Sequence, residues 1–278
     1  MDKKTPGFAP GGSHSLLRHN SAEARAGAQP DGGSFTKQVC LFADEFTNFN
    51  EMEIGMKAIR LLNKLGYRVI IPDHFESGRA YLSKGLIRKA RKLAISNIVK
   101  LRGLITEETP LIGIEPSAIL SFRDEYPDLV GDALREDALK IACHSMLFEE
   151  FIGKIATPET SSLFTDKPLH IKVHGHCHQK ALASVEPTLK MLSIPVNYQV
   201  EEIRSGCCGM AGSFGYEKEH YELSIKVGEL VLFPEVRKSA EETIIAAPGT
   251  SCRHQIMEGT GRRAYHPIEI LWSALRPS

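Results

Sequence analysis

Six short runs rich in β-branched residues punctuate this chain: VCLFA (39–43), YRVII (67–71), LIGI (111–114), HIKVH (170–174), VNYQVEEI (196–203) and TIIAA (243–247). Each is followed by a stretch whose apolar residues recur at helical spacing. Strands that alternate with helices form parallel sheets, because parallel neighbours need a crossover and a right-handed helical crossover is the usual one. The clearest helix lies between the first two runs. Met52, Met56, Ile59 and Leu62 share one face, Asn50 with Glu53 offers a capping box, and Gly66 stands where a left-handed residue would end the helix. Further helices are predicted over 83–101, 179–193, 217–231 and 267–275.

The last three runs replay the first three. ESGRAYLSKGLIRKARKLA (76–94) aligns with CCGMAGSFGYEKEHYELSI (207–225) without forcing. The expected fold is therefore α/β, a tandem duplication of two similar halves, each a small parallel sheet flanked by helices. The expected boundaries are a first half over 38–131, a helical linker over 132–158 and a second half over 159–278. Residues 1–37 are rich in Gly, Pro, Ala and Ser with few large apolar side chains, and are expected to form a disordered tail.

Charge excludes some partners. Lys plus Arg equals Asp plus Glu at 34 each, so nothing in the composition points to nucleic acid or an acidic membrane. The apolar runs fall far short of the ~18 residues of a spanning helix, so no transmembrane segment is expected. No basic start followed by an apolar core marks a secretory signal. The expected location is the cytoplasm, with any contact to the inner membrane made through partners. Six cysteines in a reducing compartment point to metal or catalysis rather than to disulfides.

Four of those cysteines share one address. Ligands of open parallel sheets sit at the carboxyl ends of the strands. Cys177 follows the strand 170–174, Cys207 and Cys208 follow 196–203, and Cys252 follows 243–247. Gly206 and Gly209 flank the pair, and Gly212 and Gly215 follow, so backbone can approach a compact group closely. Four soft thiolates select zinc, copper(I) or an iron–sulfur cluster over hard cations. The bland alternatives are small hydrophobic residues filling a tight turn, or a strained vicinal disulfide. His176 and His178 flank Cys177 and could ligate or, as most histidines beside a ligand do, support it by hydrogen bonds. His266 reads as a helix-entry or orienting residue. Cys40, inside a strand, and Cys143, inside a helix, read as buried hydrophobes.

HGHCHQKAL, SGCCGMAGSFGYEKEHYELSIKVGELVLFPEVR, APGTSCRHQI and HPIEIL together resemble the CCG, or cysteine-rich, domain. Such domains occur in the B subunit of heterodisulfide reductase, in the C subunit of anaerobic glycerol-3-phosphate dehydrogenase and in long FAD-linked oxidases of the D-lactate dehydrogenase type. The likeness covers about 38–275. It implies an iron–sulfur cluster on Cys177, Cys207, Cys208 and Cys252, for which a [4Fe–4S] cube suffices. It also implies electron transfer with a flavoprotein dehydrogenase that oxidises a small 2-hydroxy acid, and with a downstream acceptor. FAD would then lie on a partner chain or a missing domain. Two departures matter. The first half has Glu76-Ser77-Gly78-Arg79 where the family has a cysteine pair, and Ala118 where a further cysteine is expected. Asp44, His74, Glu76 and Glu115 at its strand ends could instead hold a harder ion. In the second half Gly249 stands in place of the earlier cysteine of a C-x-x-C, leaving four candidate ligands rather than five.

No G-x-G-x-x-G fingerprint and no C-x-x-C-x-x-C run is present, so the chain is not expected to be a complete dehydrogenase. Its rival roles are a zinc-binding or metal-free interaction scaffold and a cluster-based disulfide reductase module.

Overall fold

The structure, a computed structural model, describes Phe35 and residues 37–276. The tail expected over 1–37 lies outside the described residues apart from Phe35 and Lys37. The first half runs β1 (Lys37–Phe42), α1 (Glu45–Phe49), α2 (Met52–Lys64), β2 (Tyr67–Ile70), α3 (Arg79–Ser83), α4 (Ile87–Leu101), β3 (Leu111–Gly113), α5 (Pro116–Ile119), α6 (Glu125–Leu129), α7 (Asp132–Cys143), β4 (Ser145–Leu147) and α8 (Phe148–Ile155). The second half runs β5 (Leu169–Val173), α9 (Cys177–Leu182), α10 (Glu186–Leu192), β6 (Tyr198–Glu202), α11 (Tyr221–Glu229), α12 (Leu232–Lys238), β7 (Ile244–Ala246), α13 (Thr250–Thr260), β8 (Ala264–Tyr265) and α14 (Pro267–Ser273).

Each half forms a four-stranded, wholly parallel sheet, and the strand order is the same in both: β2-β1-β3-β4 and β6-β5-β7-β8. The α/β fold with tandem halves is thus what the alternation of strand and helix predicts. A local sign of the duplication survives at Gly78 and Gly209, aligned glycines that both take positive φ, +76° and +105°. One hydrophobic core runs through both halves, joining Leu41, Ile59, Leu62 and Phe148 to Ile171, Val173, Leu192 and Leu271. Across that core α10 packs on α8 and α14 on α2. Among the described residues no helix is long and apolar enough to cross a membrane.

The fourth strand of each sheet escapes sequence reading. β4 and β8 have three and two residues, too few to show a period, and β4 lies within the stretch 132–158 expected to be a helical linker. Two expected helices are broken. Gly85, at φ +68°, separates α3 from α4, and Ser184, at φ +72°, separates α9 from α10, whose Pro187 suits only a helix start. The Asn50–Glu53 capping box does not form: the residue before α2 is Glu51, and its carboxylate bonds Arg253 and Thr250 in the other half instead. Gly66 does end α2, with φ +85°.

Candidate functional site

Parallel strands bring all the second-half loops to one rim. His174 directly follows β5 and is fixed there by its amide, which donates to Ala246 O of β7 at 2.8 Å. Cys177 opens α9, Cys207 and Cys208 lie in the loop after β6, and Cys252 sits in the first turn of α13. Cys208 and Cys252 are buried, Cys207 is half-buried and Cys177 is exposed. Cys177, Cys208, Cys252 and His174 line a cavity of about 290 Å³, whose other walls include Arg79, Ser83 and Ser117 from the first half.

Cys208 and Cys252 converge with His174, whereas neither Cys177 nor Cys207 joins a group of three ligand atoms among the described residues. Donation to Cys207 raises the Cys177 pKa above the ordinary thiol range. Cys207 is pushed far down, because it accepts from Cys177 and Cys208 and from the amides of Gly209 and Ala211. The Gly209 amide lies 3.3 Å from Cys207 Sγ. Cys208 is raised because it donates to Cys207 and to Cys252. Cys252, fully buried, is nevertheless lowered, by Cys208 first and by contact with the His174 imidazole. Backbone amides aimed at sulfur favour thiolates, and thiolates are the form that binds soft metal.

The loop has its own supports. Gly209 at φ +105° and Ala211 at φ +41° turn the backbone so that its amides face the sulfurs. Lys180 of α9 donates to Ser205 O at 2.7 Å and to Gly206 O at 2.8 Å, locking the loop to the helix that carries Cys177. Gln255 of α13 holds Ser224, against which Gly209 packs.

The three histidines near Cys177 do different things. His174 is 1% exposed, with Nδ1 2.7 Å from Ser205 Oγ, and it forms a buried group with Cys208 and Cys252 whose ligand atoms all lie within 4.8 Å of one another. Sequence reasoning misses it, because HIKVH reads as a strand that ends there; its only signal is the spacing His174-x-x-Cys177. His176 caps α9, accepting the His178 amide at Nδ1, and turns Nε2 toward Glu115 Oε1 at 3.9 Å. A Cβ at Gly249 would lie 2.5 Å from the His176 ring, so His176 occupies the space a side chain at 249 would need. His178 is neutral at pH 7, its pKa lowered to about 4 by burial and by Arg79. His266 caps α14 with Nδ1, so it is a helix-entry residue.

The first-half strand ends are polar, and Asp44, His74 and Ser77 find their partners within the half. Asp44 caps α1, accepting from Phe46, Thr47 and the Thr47 hydroxyl. Both His74 ring nitrogens are engaged, on the Ala43 amide and on Phe75 O. Ser77, aligned with Cys208, donates through amide and hydroxyl to Glu45. No metal-ligating group of three converges there among the described residues. Cys40 is buried as expected, whereas Cys143 is exposed, because it lies on the solvent side at the end of α7.

Glu115 links the halves. Fully buried after β3, it accepts from the Thr250 amide of α13 at 2.9 Å and from Ser117. Burial pushes its pKa up, but His176, the Thr250 amide and Ser117 outweigh that and hold it below the ordinary carboxylate value. Glu51 pairs with the buried Arg253, whose guanidinium also donates to Ala247 O and Pro248 O.

Fold and site together define a duplicated α/β protein with a buried His/Cys/Cys group at one rim of its second half, and its sequence is similar to parts of known dehydrogenases. The chain is 30% identical over 241 residues to D-2-hydroxyglutarate dehydrogenase of Pantoea ananatis, covering 84% of this chain and 22% of that protein. It is 30% identical over 246 residues to the C subunit of anaerobic glycerol-3-phosphate dehydrogenase of Escherichia coli K12, covering 87% of this chain and 60% of that one. D-2-hydroxyglutarate dehydrogenase of the same bacterium is 26% identical over 243 residues. The chain thus spans about a fifth of the hydroxyglutarate dehydrogenases and three fifths of the glycerol-3-phosphate dehydrogenase component. No family profile matches it.

Proposed function

We propose that this chain is an iron–sulfur electron-transfer module of a FAD-linked dehydrogenase system acting on a small 2-hydroxy acid or similar substrate. The observation that carries this reading is the placing of four thiols at three strand ends of one sheet, with Cys208 and Cys252 converging in a buried group and the Gly209 amide aimed at Cys207. The donor set suits the group: four thiolates suffice for a [4Fe–4S] cluster, and amide hydrogen bonds to sulfur tune its potential. Cys177, Cys207, Cys208 and Cys252 would hold the cluster, which would supply one-electron transfer. The chain's own residues then do the rest. Lys180 and the glycine-bearing loop keep the sulfurs in place, while burial of Cys208 and Cys252 excludes water from the deeper side. Exposure of Cys177 leaves one edge near solvent, where a partner could exchange electrons. FAD belongs to a partner flavoprotein or to a domain outside this chain, and a second partner takes the electrons onward.

Anaerobic reconstitution with iron and sulfide, followed by metal and sulfide analysis and a visible spectrum, tests the proposal. The expected result is about four irons per chain with broad visible absorption, lost in the Cys207→Ala/Cys208→Ala double variant. A folded, colourless protein that takes one zinc and no iron would replace this reading with the zinc scaffold.

A further inference from the structure

The second sheet delivers more than thiols to the rim. His174 leaves the end of β5 into the same cavity as Cys177, Cys208 and Cys252. It is almost wholly buried, and its ligand nitrogen lies with the sulfurs of Cys208 and Cys252 inside 4.8 Å. With Nδ1 on Ser205 Oγ at 2.7 Å, Nε2 is the nitrogen left for the sulfurs. His176 and His178 line the same cavity, but the first is turned to Glu115 and neither joins the buried group of His174, Cys208 and Cys252.

We propose that His174 is itself a ligand of the metal centre, its Nε2 beside Cys208 and Cys252 taking the place of one of the four thiolates; this rests on the iron–sulfur reading above. Metal-bound imidazoles characteristically give their other N–H to a fixed oxygen partner, which sets the tautomer. Ser205 is that partner. Its hydroxyl donates to Ile203 O at 3.3 Å and its oxygen can accept the Nδ1–H, leaving the Nε2 lone pair for metal. Any proton on Nε2 in the metal-free protein is displaced to solvent when metal binds, as ligand protons generally are. An imidazole ligand in place of a thiolate raises a cluster's potential, so the centre is set above an all-cysteine one with the same number of ligands.

Pulsed electron paramagnetic resonance of the reconstituted, reduced chain, grown with ¹⁵N-histidine, reads the contact directly. Wild type is expected to show one strongly coupled nitrogen, absent in His174→Ala and retained in His176→Ala and His178→Ala. His174→Cys should keep iron and lower the midpoint potential. Ser205→Ala, which keeps the imidazole but frees it, should broaden the coupling, and it carries the test where His174→Ala does not fold. An iron-loaded wild type with only weak nitrogen coupling, or strong coupling that survives His174→Ala, overturns the proposal. If wild type takes no iron, the iron–sulfur reading fails separately, and cobalt(II) added to the reduced protein decides on His174 alone. A paramagnetically shifted imidazole signal lost in His174→Ala supports it, and no such signal overturns it.

Discussion

The glycines around the cysteine pair give the sharpest structural test. Gly209 follows Cys208 at φ +105°, and a Cβ there would lie 2.1 Å from the carbonyl oxygen of Ser224 in α11. Placing an L side chain in left-handed backbone costs about 1–2 kcal/mol. Backbone cannot yield as a flexible side chain does, so α11 must shift, at a further ~1–3 kcal/mol for overpacking. Gly209→Ala should therefore lose about 3 kcal/mol, a large part of the ~5–15 kcal/mol that holds a typical domain. Gly206, on the other side of the pair, has no atom within 4 Å of an added Cβ, so Gly206→Ala should fall within about 0.5 kcal/mol of wild type. Gly78, left-handed but with ordinary 3.4 Å clearance, should fall between them at about 1 kcal/mol. Urea unfolding of the reduced, metal-free proteins measures all three. Thiol titration in buffer adds a local readout, because Cys208 and Cys252 react slowly while the loop is closed and should react quickly in Gly209→Ala. Equal stability for Gly206→Ala and Gly209→Ala, with unchanged thiol kinetics, would refute the argument that the loop is closed against α11.

Three buried carboxyls make further predictions. Burial, with Glu150 and Glu115 adding to it, raises the Glu149 pKa to about 8. Neither of its carboxyl oxygens bonds outside its own residue. Its proton is bound more tightly folded than unfolded, so this stability is full below the ordinary value of 4.5 and is lost as pH rises toward 8. Asp44, raised to about 7 by burial and Glu45, has the same sign. Glu149→Gln should flatten the stability–pH curve between pH 5 and 8 by up to ~1.4 kcal/mol per unit, measured by denaturant melts across that range. Glu115 has the opposite sign: its depressed pKa gives stability present above the ordinary value of 4.5 and lost as pH falls through the lower folded one. Glu115→Ala should cost about 1–3 kcal/mol at pH 7 by orphaning the Thr250 amide, and should flatten the acid limb of the curve. Equal acid limbs in wild type and variant would show that Glu115 titrates normally.

What could be read from the sequence was whatever repeats over several residues or sits at a strand end. Runs of four or more residues rich in β-branched side chains revealed six strands, and their ends placed Cys177, Cys207, Cys208 and Cys252 at one address. Contacts made across long separations left no local trace. Glu51 sits beside a plausible helix cap, but its partner Arg253 lies 202 residues away, and that bond outcompetes a cap worth about 1 kcal/mol. β4 and β8 exist because neighbouring strands offer free edges, not because their residues favour extension. His174 is hidden by its neighbours: HIKVH reads as an ordinary strand, and only the turn after β5 directs the last histidine into the cavity.

The same long-range bonds explain why the first half, lacking cysteines at its strand ends, bears on the site at all. The loop after β3 and the junction of α1 and α2 face the second half, and their carboxylates, Glu115 and Glu51, meet the start of α13, the helix that carries Cys252. Glu115 and Glu51 place negative charge at a helix N-terminus, where it is stabilising, and Arg253 offsets part of it. Between them the first-half carboxylates engage three donors of the second half: the Thr250 amide, the Thr250 hydroxyl and the Arg253 guanidinium. Removing either carboxylate would leave polar groups without these acceptors beside the buried thiols, at a cost that apolar packing in the shared core cannot relieve. The first half thus borders the thiol rim with carboxylates bonded to the start of the Cys252 helix, and it presents no cysteine at its own strand ends.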